Sequence, residues 1–305
     1  MDRLDAMRLF VRVAERGSFS AVAQQLGLAR SMVTRQVAAL EAHLGVKLLA
    51  RSTRRLTITS AGAAYLEKCR VILNLVEAAE TGVAEENLAP RGTIRLSLPL
   101  SFGIRHLAPL LLEFATRFPA VTLDADYSDR RSNLFEEGID LAVRITRRLE
   151  SGDVARRLGS SRLLVVAAPE YLARHGEPRH PSELIHHECL GYTAGANAQS
   201  WTFLIDGKPQ GFPVRGRLQA NNGDVLLQAV IGSFGIACEP AFICAEALAA
   251  GQVRPILTDF AVPELGIHAV LPSNRHVPHR VRVLMDFLAE RLGTNPPWER
   301  NEQAA

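Results

Sequence analysis

Leu4, Met7, Leu9, Phe10, Val13 and Ala14 recur at helical spacing, and Gly17 is placed to end the helix they predict. SFSAVAQQL restarts the pattern: Ser18 or Ser20 caps a second helix, Val22, Ala23 and Leu26 form its buried side, and Gly27 breaks it. A third run, ARSMVTRQVAALEAHLG, sets Val33, Val37, Leu40 and Leu44 on one face through steps of four, three and four, with Gly45 as terminator. Alternation then replaces helical spacing. GVKLLARSTRRLTITSAG exchanges apolar and polar residues on both sides of a polar tip at Ser52 and Thr53, which predicts a two-stranded wing. From Ser60 to Asn87 no proline intervenes, and Leu66, Cys69, Leu73, Val76 and Val83 form a heptad-like seam broken at Glu80, so one long amphipathic helix is expected. Pro90 and Gly92 in LAPRG stop it and supply a hinge.

Downstream the periodicity switches repeatedly. Strands are expected at Thr93 to Leu98, Val121 to Tyr127 and Asp140 to Arg144, with a helix at Phe102 to Phe118 and a short one at Leu134 to Glu137. Further strands fall at Leu163 to Ala167, Arg215 to Ala220, Gly235 to Glu239 and Ile267 to Leu271, before a last helix at about His279 to Leu292. This alternation predicts α/β units with mainly parallel strands.

With 47% hydrophobic and 22% charged residues, the 305-residue chain has enough apolar surface for two or three globular cores. Its first residues, MDRLDAMRLFVRVAERG, are too often charged for a signal peptide or membrane span, so a cytoplasmic protein without membrane partners is expected. Cys69, Cys189, Cys238 and Cys244 lack paired spacing and read as structural thiols of a reducing compartment. Charge is uneven. Residues 1–60 hold ten basic and four acidic side chains, a net +6, whereas the whole chain is only +3. A small basic module attached to an acidic body suggests a polyanionic partner for the first part alone.

The basic module has the spacing of a helix-turn-helix: Ala23 is small where two helices cross, Gly27 tolerates the turn, and Val33 anchors the second helix. Arg30, Ser31, Thr34 and Arg35 are left on its outward face, where such motifs enter the major groove of double-stranded DNA, and arginine suits a guanine edge. On an isolated helix these four are merely a solvated face. The wing tips the balance, because Arg51, Thr53, Arg54 and Arg55 crowd its tip in position for phosphate contacts.

The run FVRVAERGSFSAVAQQLGLARSMVTRQVAALEAHLGVKLLARSTRRLTITSAG resembles the DNA-binding signature of the LysR-type transcriptional regulators over roughly residues 4–62. Leu40 with Glu41, Gly45 with Val46, Arg51, Arg54 and the closure from Thr59 to Gly62 fall in register. Ala29, Leu49 and Ile58 depart from the usual serine, phenylalanine and leucine. Since Ala29 cannot accept a capping bond, Ser31 is expected to cap the recognition helix and delay its start. PEYLARHG, HHECLGY, GFPVRGRLQANNGD and GSFGIACEP extend the resemblance through the rest of the chain.

The resemblance implies a winged helix-turn-helix in residues 1–60, a linker and dimerisation helix in 61–89, and an effector-binding domain in 92–305. That domain is expected to be a two-lobed α/β fold like type 2 periplasmic binding proteins. Lobe 1 would span about 92–164 and 267–292, and lobe 2 about 165–266. Although the long helix can also pack back on its own body, the family implies that Leu66, Cys69, Leu73, Val76 and Val83 pair with a second copy, in a homodimer or homotetramer. Two recognition helices would then read two half-sites. RNA polymerase is a further expected partner, through promoter binding, and no cofactor is expected.

Ligands of α/β sheets bind beyond the carboxyl ends of strands, near helix starts. This rule delivers Pro99, Ser101 and Phe102 to a crevice, with Ser128, Arg144 and Thr146 from later strands and Asn222 and Phe234 from the other lobe. Ser101, which also caps its helix, suits a carboxylate, so the effector is expected to be a small organic anion. His180, Glu183, His186, His187 and Cys189 lie close in sequence without a zinc spacing, and no metal is expected. No catalytic motif such as G-x-S-x-G, a P-loop or H-E-x-x-H is present, so no enzyme is predicted. A free-standing solute-binding protein would have no use for the basic N-terminal module.

Overall fold

Helix α1 (Arg3–Arg16) starts where Asp2 accepts the Leu4 N–H and stops at Gly17, whose φ of 62° ends the helix in the left-handed region. Ser18 likewise caps α2 (Phe19–Leu26) through the Ala21 N–H, and α3 (Arg30–Leu44) follows the turn at Gly27. Ser31 is not its cap. The helix begins at Arg30 with Ala29 as an N-cap that makes no side-chain bond, and the Met32 and Val33 amides both reach the Ala29 carbonyl. Exposed terminal amides are served by water, so the delayed start predicted from the missing serine does not occur. Strands β1 (Leu49–Arg51) and β2 (Leu56–Ile58) form the antiparallel wing, and α4 (Ser60–Thr81) leaves it.

A computed structural model describes residues 2–51, 56–81, 89–130, 133, 134, 136–193, 199–272, 277–293, 296, 298 and 299. Two units are separable: Met1–Ala89 with Asn133–Gly138 and Ser273–His279, and Pro90–Ser132 with Ile139–Pro272 and Arg280–Ala305. The first has its own core, in which Phe10, Val13, Val22, Val33 and Leu40 are joined by Cys69 from α4.

In the second unit the first sheet has the order β4-β3-β5-β14-β6, formed by β3 (Gly92–Leu98), β4 (Val121–Tyr127), β5 (Leu141–Thr146), β6 (Val154–Ser161) and β14 (Leu265–Leu271). The second has the order β11-β8-β12-β7-β13, from β7 (Leu163–Ala167), β8 (Cys189–Tyr192), β11 (Gln219–Ala220), β12 (Ile236–Pro240) and β13 (Arg254–Ile256). These are the two lobes of an α/β domain. The chain passes from the first to the second at Arg162, between β6 and β7, and returns between β13 and β14.

Both sheets are mixed rather than mainly parallel. β3 is parallel to β4 and β5, but β14 runs antiparallel to β5 and β6; β7 runs antiparallel to β12 and β13. Strands that enter a sheet from the other lobe do so without a helical crossover and are free to reverse direction. Two local expectations also change. Leu134 and Glu136–Gly138 form turns instead of a helix, and the strand expected at Arg215 to Ala220 shrinks to Gln219–Ala220. There the Gly216 backbone lies so close to β8 that an added Cβ would sit 2.2 Å from the Cys189 carbonyl oxygen.

The predicted helix after β3 begins as α5 (Leu100–Phe102), passes through a π-helical turn at Gly103–Leu107 and continues as α6 (Ala108–Arg117). The remaining elements are α7 (Pro169–His175), the hairpin β9 (Ser200–Ile205) and β10 (Lys208–Pro213), α8 (Gly223–Ile231), α9 (Ala241–Ala249) and α10 (His279–Leu292). Among the described residues no helix is long and apolar enough to cross a membrane.

Candidate functional sites

On α3, Val33, Val37 and Leu40 are buried, while Arg30, Ser31 and Arg35 are exposed and Thr34 is half-buried. The four predicted recognition residues therefore share the solvent side of the helix start. Leu28 and Met32, at 36% and 40% exposure, flank them and were not anticipated. Arg51 lies in β1, whereas Thr53, Arg54 and Arg55 fall outside the described residues.

The wing is fixed to the recognition helix by Glu41. One carboxylate oxygen accepts the Leu48 and Leu49 amides at 3.0 and 3.1 Å, and the other accepts the Lys47 ammonium at 2.6 Å. Burial alone would raise this carboxyl, but Lys47 and the two amides outweigh it and hold Glu41 below its ordinary value. Thr59 locks the other strand: its hydroxyl donates to the Lys47 carbonyl at 2.7 Å and accepts the Gly62 N–H at 2.9 Å, capping α4. A Cβ on Gly62 would fall 2.0 Å from the Leu48 carbonyl oxygen, so only glycine fits this junction.

Of the seam expected to face a second copy, Cys69 is fully buried in the chain's own N-terminal core, and Leu66 and Leu73 pack against that core. Such residues have little surface left for a partner. The large apolar side chains that α4 does expose are Ile72 and Leu75. Val76 is half-buried, and Val83 lies outside the described residues.

In the second unit, Ser101 and Asn222 are brought together from different lobes. The Asn222 amide donates to the Ser101 hydroxyl and to Asp129, each at 3.2 Å, while its oxygen caps α8 through the Val225 N–H. The Ser101 hydroxyl in turn donates to Asp224, which also pairs with Arg105 at 2.5 Å. Asp129 accepts the Leu100 N–H at 3.0 Å. Hence the helix start and serine expected to hold a ligand anion are occupied by two carboxylates of the protein itself, and Arg105, which was not anticipated, pairs with one of them. Sequence reasoning omitted both carboxylates, because they come from a loop after β4 and from the first turn of α8.

Other predicted crevice residues are engaged elsewhere. Pro99 is half-buried as the N-cap residue of α5. Phe102 is fully buried and stacks edge-on against Phe242 and Trp298, so it belongs to an aromatic core and not to a ligand wall. Ser128 accepts the Arg130 N–H, Arg144 lies 3.6 Å from Asp153, and Thr146 donates to the Arg148 carbonyl. Phe234 is exposed beneath the Arg217 guanidinium, 5.0 Å from its ring centre.

Behind the Ser101–Asn222 junction, Trp298 donates its indole N–H to the Ser160 carbonyl at 3.2 Å. Glu299 binds the Arg162 backbone and side chain at 2.9 and 2.5 Å. These contacts clamp the crossing from β6 to β7. His106 packs against the Trp298 ring, and burial pushes its imidazole down to about 4, so it stays neutral. No group of metal-ligating side chains suited to an ion occurs among the described residues.

Residues 4–63 match the model of the bacterial regulatory helix-turn-helix protein, lysR family, and residues 88–293 match the LysR substrate binding domain. The HTH-type transcriptional regulator CrgA of Neisseria meningitidis serogroup C is 37% identical over 292 residues, 95% of this chain and 97% of that protein. An HTH-type transcriptional regulator of Xanthomonas campestris is 39% identical over 288 residues, covering 93% of this chain and 84% of that protein. Among solved structures, that of CrgA from Neisseria meningitidis superimposes with a TM-score of 0.60 at 36% identity, over 95% of this chain and 98% of that one. Full-length AphB of Vibrio cholerae gives 0.58 at 27% identity, over 95% and 99%.

Proposed function

The chain belongs to the LysR family of transcriptional regulators, and from that premise we propose how its parts divide the work. It is a regulator with an effector-binding domain, and its relatives are transcription factors, not enzymes. Residues 1–60 bind double-stranded promoter DNA in the cytoplasm, and 61–89 link and dimerise. Residues 92–305 receive a small organic effector, with lobe 1 in 92–164 and 267–292 and lobe 2 in 165–266.

Dimers, or dimers of dimers, lie on an interrupted palindrome, held together through the α4 face that carries Ile72 and Leu75. Effector binding at the junction of the lobes shifts them, moves the paired DNA-binding modules and changes DNA bending or contact with RNA polymerase.

The observation that carries this reading is the exposed start of α3, with Arg30, Ser31 and Arg35 outward, next to a wing that Glu41 holds in place. Arg30 and Arg35 read bases, with Ser31 and Thr34 beside them, while Arg51, Thr53, Arg54 and Arg55 hold phosphates. Sites selected from random duplex DNA supply the test. Arg30→Ala or Arg35→Ala is expected to reduce discrimination between selected and random DNA, by about 1–3 kcal/mol. Arg54→Ala is expected to weaken both alike and lower the salt slope by about one. Equal losses on both DNAs for all three variants would refute the division, and salt-insensitive binding would refute the interface.

A further inference from the structure

Among the described residues three charged side chains are buried: Glu41, Arg280 and Glu239. Glu41 has Lys47 and two amides, and Arg280 donates to the Thr93 carbonyl at 2.8 Å. Glu239, at 1% exposure near the end of β12, differs: its Oε1 is buried and has no hydrogen-bond partner. A buried polar group without a partner is destabilising. An otherwise apolar strand has no structural need of one.

Its position supplies the reason. The Glu239 carboxyl points at the Asn222–Asp224 turn, where a Cβ on Gly223 would sit 2.4 Å from Oε2, so the missing side chain of Gly223 makes room for it. Asp224 stands beside it, on the Ser101–Asn222–Asp129 ring. Burial, then Asp224, raises Glu239 well above its ordinary value. Tyr192 is pushed up to about 12 by burial, then by Asp129 and Glu239, which places all three groups in one neighbourhood. The cation bonded to this ring is Arg105, which pairs with Asp224. Three carboxyl groups thus share one neighbourhood, where Asp224 is paired with Arg105 and Glu239 has no hydrogen bond.

An incoming carboxylate would have to take Ser101 and Arg105 away from Asp224, leaving that carboxylate desolvated beside a like charge. An incoming cation leaves Asp224 and Asp129 facing an opposite charge and gives the empty Glu239 acceptor a donor. We infer that the effector bears a cationic nitrogen, an ammonium or amidinium, which Glu239, Asp224 and Asp129 receive at the junction of the lobes. This deepens the effector-sensor reading and rests on it, and it replaces the anion expected from the serine and the helix start.

Thermal unfolding of the full chain, at matched ionic strength, tests the charge class with benzylamine, putrescine and agmatine against benzoate and succinate. Wild type is expected to gain about 3 °C or more with at least one amine at saturation and nothing from the carboxylates. Glu239→Leu, which replaces the unpartnered acid by an apolar side chain, is expected to lose the amine response while melting no lower than wild type without ligand. Glu239→Gln, which retains the shape, is expected to respond less than wild type. The inference is overturned if no amine acts, if amines protect Glu239→Leu as well as wild type, or if only the carboxylates protect. In that last case, loss of the carboxylate effect in Ser101→Ala would leave the effector site standing without its cation preference.

Discussion

Replacing Glu41 tests whether one buried carboxylate holds the wing to the recognition helix. In Glu41→Ala the Leu48 and Leu49 amides lose the oxygen they share at 3.0 and 3.1 Å, and both residues are buried. Two hydrogen bonds to a charged group contribute about 3 kcal/mol together, so local opening of β1 should become easier by roughly a hundredfold. Glu41→Gln keeps a carbonyl oxygen for both amides but loses the charge that attracts Lys47, and roughly tenfold is expected.

Amide hydrogen exchange of residues 46–51, read by mass spectrometry on the full chain, reports this opening without requiring a single global transition. The sign with pH is fixed by the lowered carboxyl. Its folded-state value lies below the ordinary 4.5, so the stabilisation is complete above about that pH and is lost as pH falls through the folded value. Protection of the wing should therefore decline below pH 4.5 in wild type and remain flat in Glu41→Gln. Unchanged exchange in Glu41→Ala would refute the argument.

Three further substitutions follow from the packing. Trp298→Ala removes the ring that joins Phe102 and His106 of one lobe to Phe242 of the other, and should lower the stability of the second unit by about 3–5 kcal/mol in urea unfolding while sparing DNA binding. Phe102→Ala should cost about as much; an effect confined to effector titration, with stability unchanged, would return Phe102 to the crevice wall. Gly62→Ala cannot be accommodated 2.0 Å from the Leu48 carbonyl without moving the wing, and a loss of about 2–4 kcal/mol, with weaker DNA binding, is the expected result.

The N-terminal unit was legible because its signals are local. Gly17, Gly27 and Gly45 all have φ between 62° and 70°, and Ser18 caps α2, as the spacing of breakers and apolar residues predicts. A heptad seam, however, records only that residues are buried. Leu66, Cys69 and Leu73 satisfy that pattern against α1 and its neighbours as readily as against a second copy. The hairpin of β9 and β10 was overlooked although its signal was present: Asp206–Gly207 takes φ of 51° and 75° between Trp201, Phe203 and Phe212. By contrast β6, whose inner residues VARRLGSS barely alternate, becomes a strand because β14 pairs with it along its length.

The crevice was legible only in part, for a different reason. A strand-end rule brings Ser101 and Phe102 to the same place, but adjacent helical residues point about 100° apart, so one faces the junction and the other the core. The same rule attracts anions to helix starts without saying whose anions they are. Here Asp129 and Asp224, distant in sequence, fill that role and tie the lobes through Asn222, Ser101 and Arg105. The lobes are thus joined by two kinds of contact. Polar bonds at the ring can be exchanged at small net cost for bonds to a ligand whose charge complements the carboxylates. The aromatic contacts of Trp298 with Phe102 and Phe242 cannot, since opening them exposes apolar surface with no compensating partner. On the proposed reading, a ligand that enters the ring is expected to change how the lobes meet on that side while the Trp298 clamp keeps its place, with the clamp as pivot and the ring as the adjustable end.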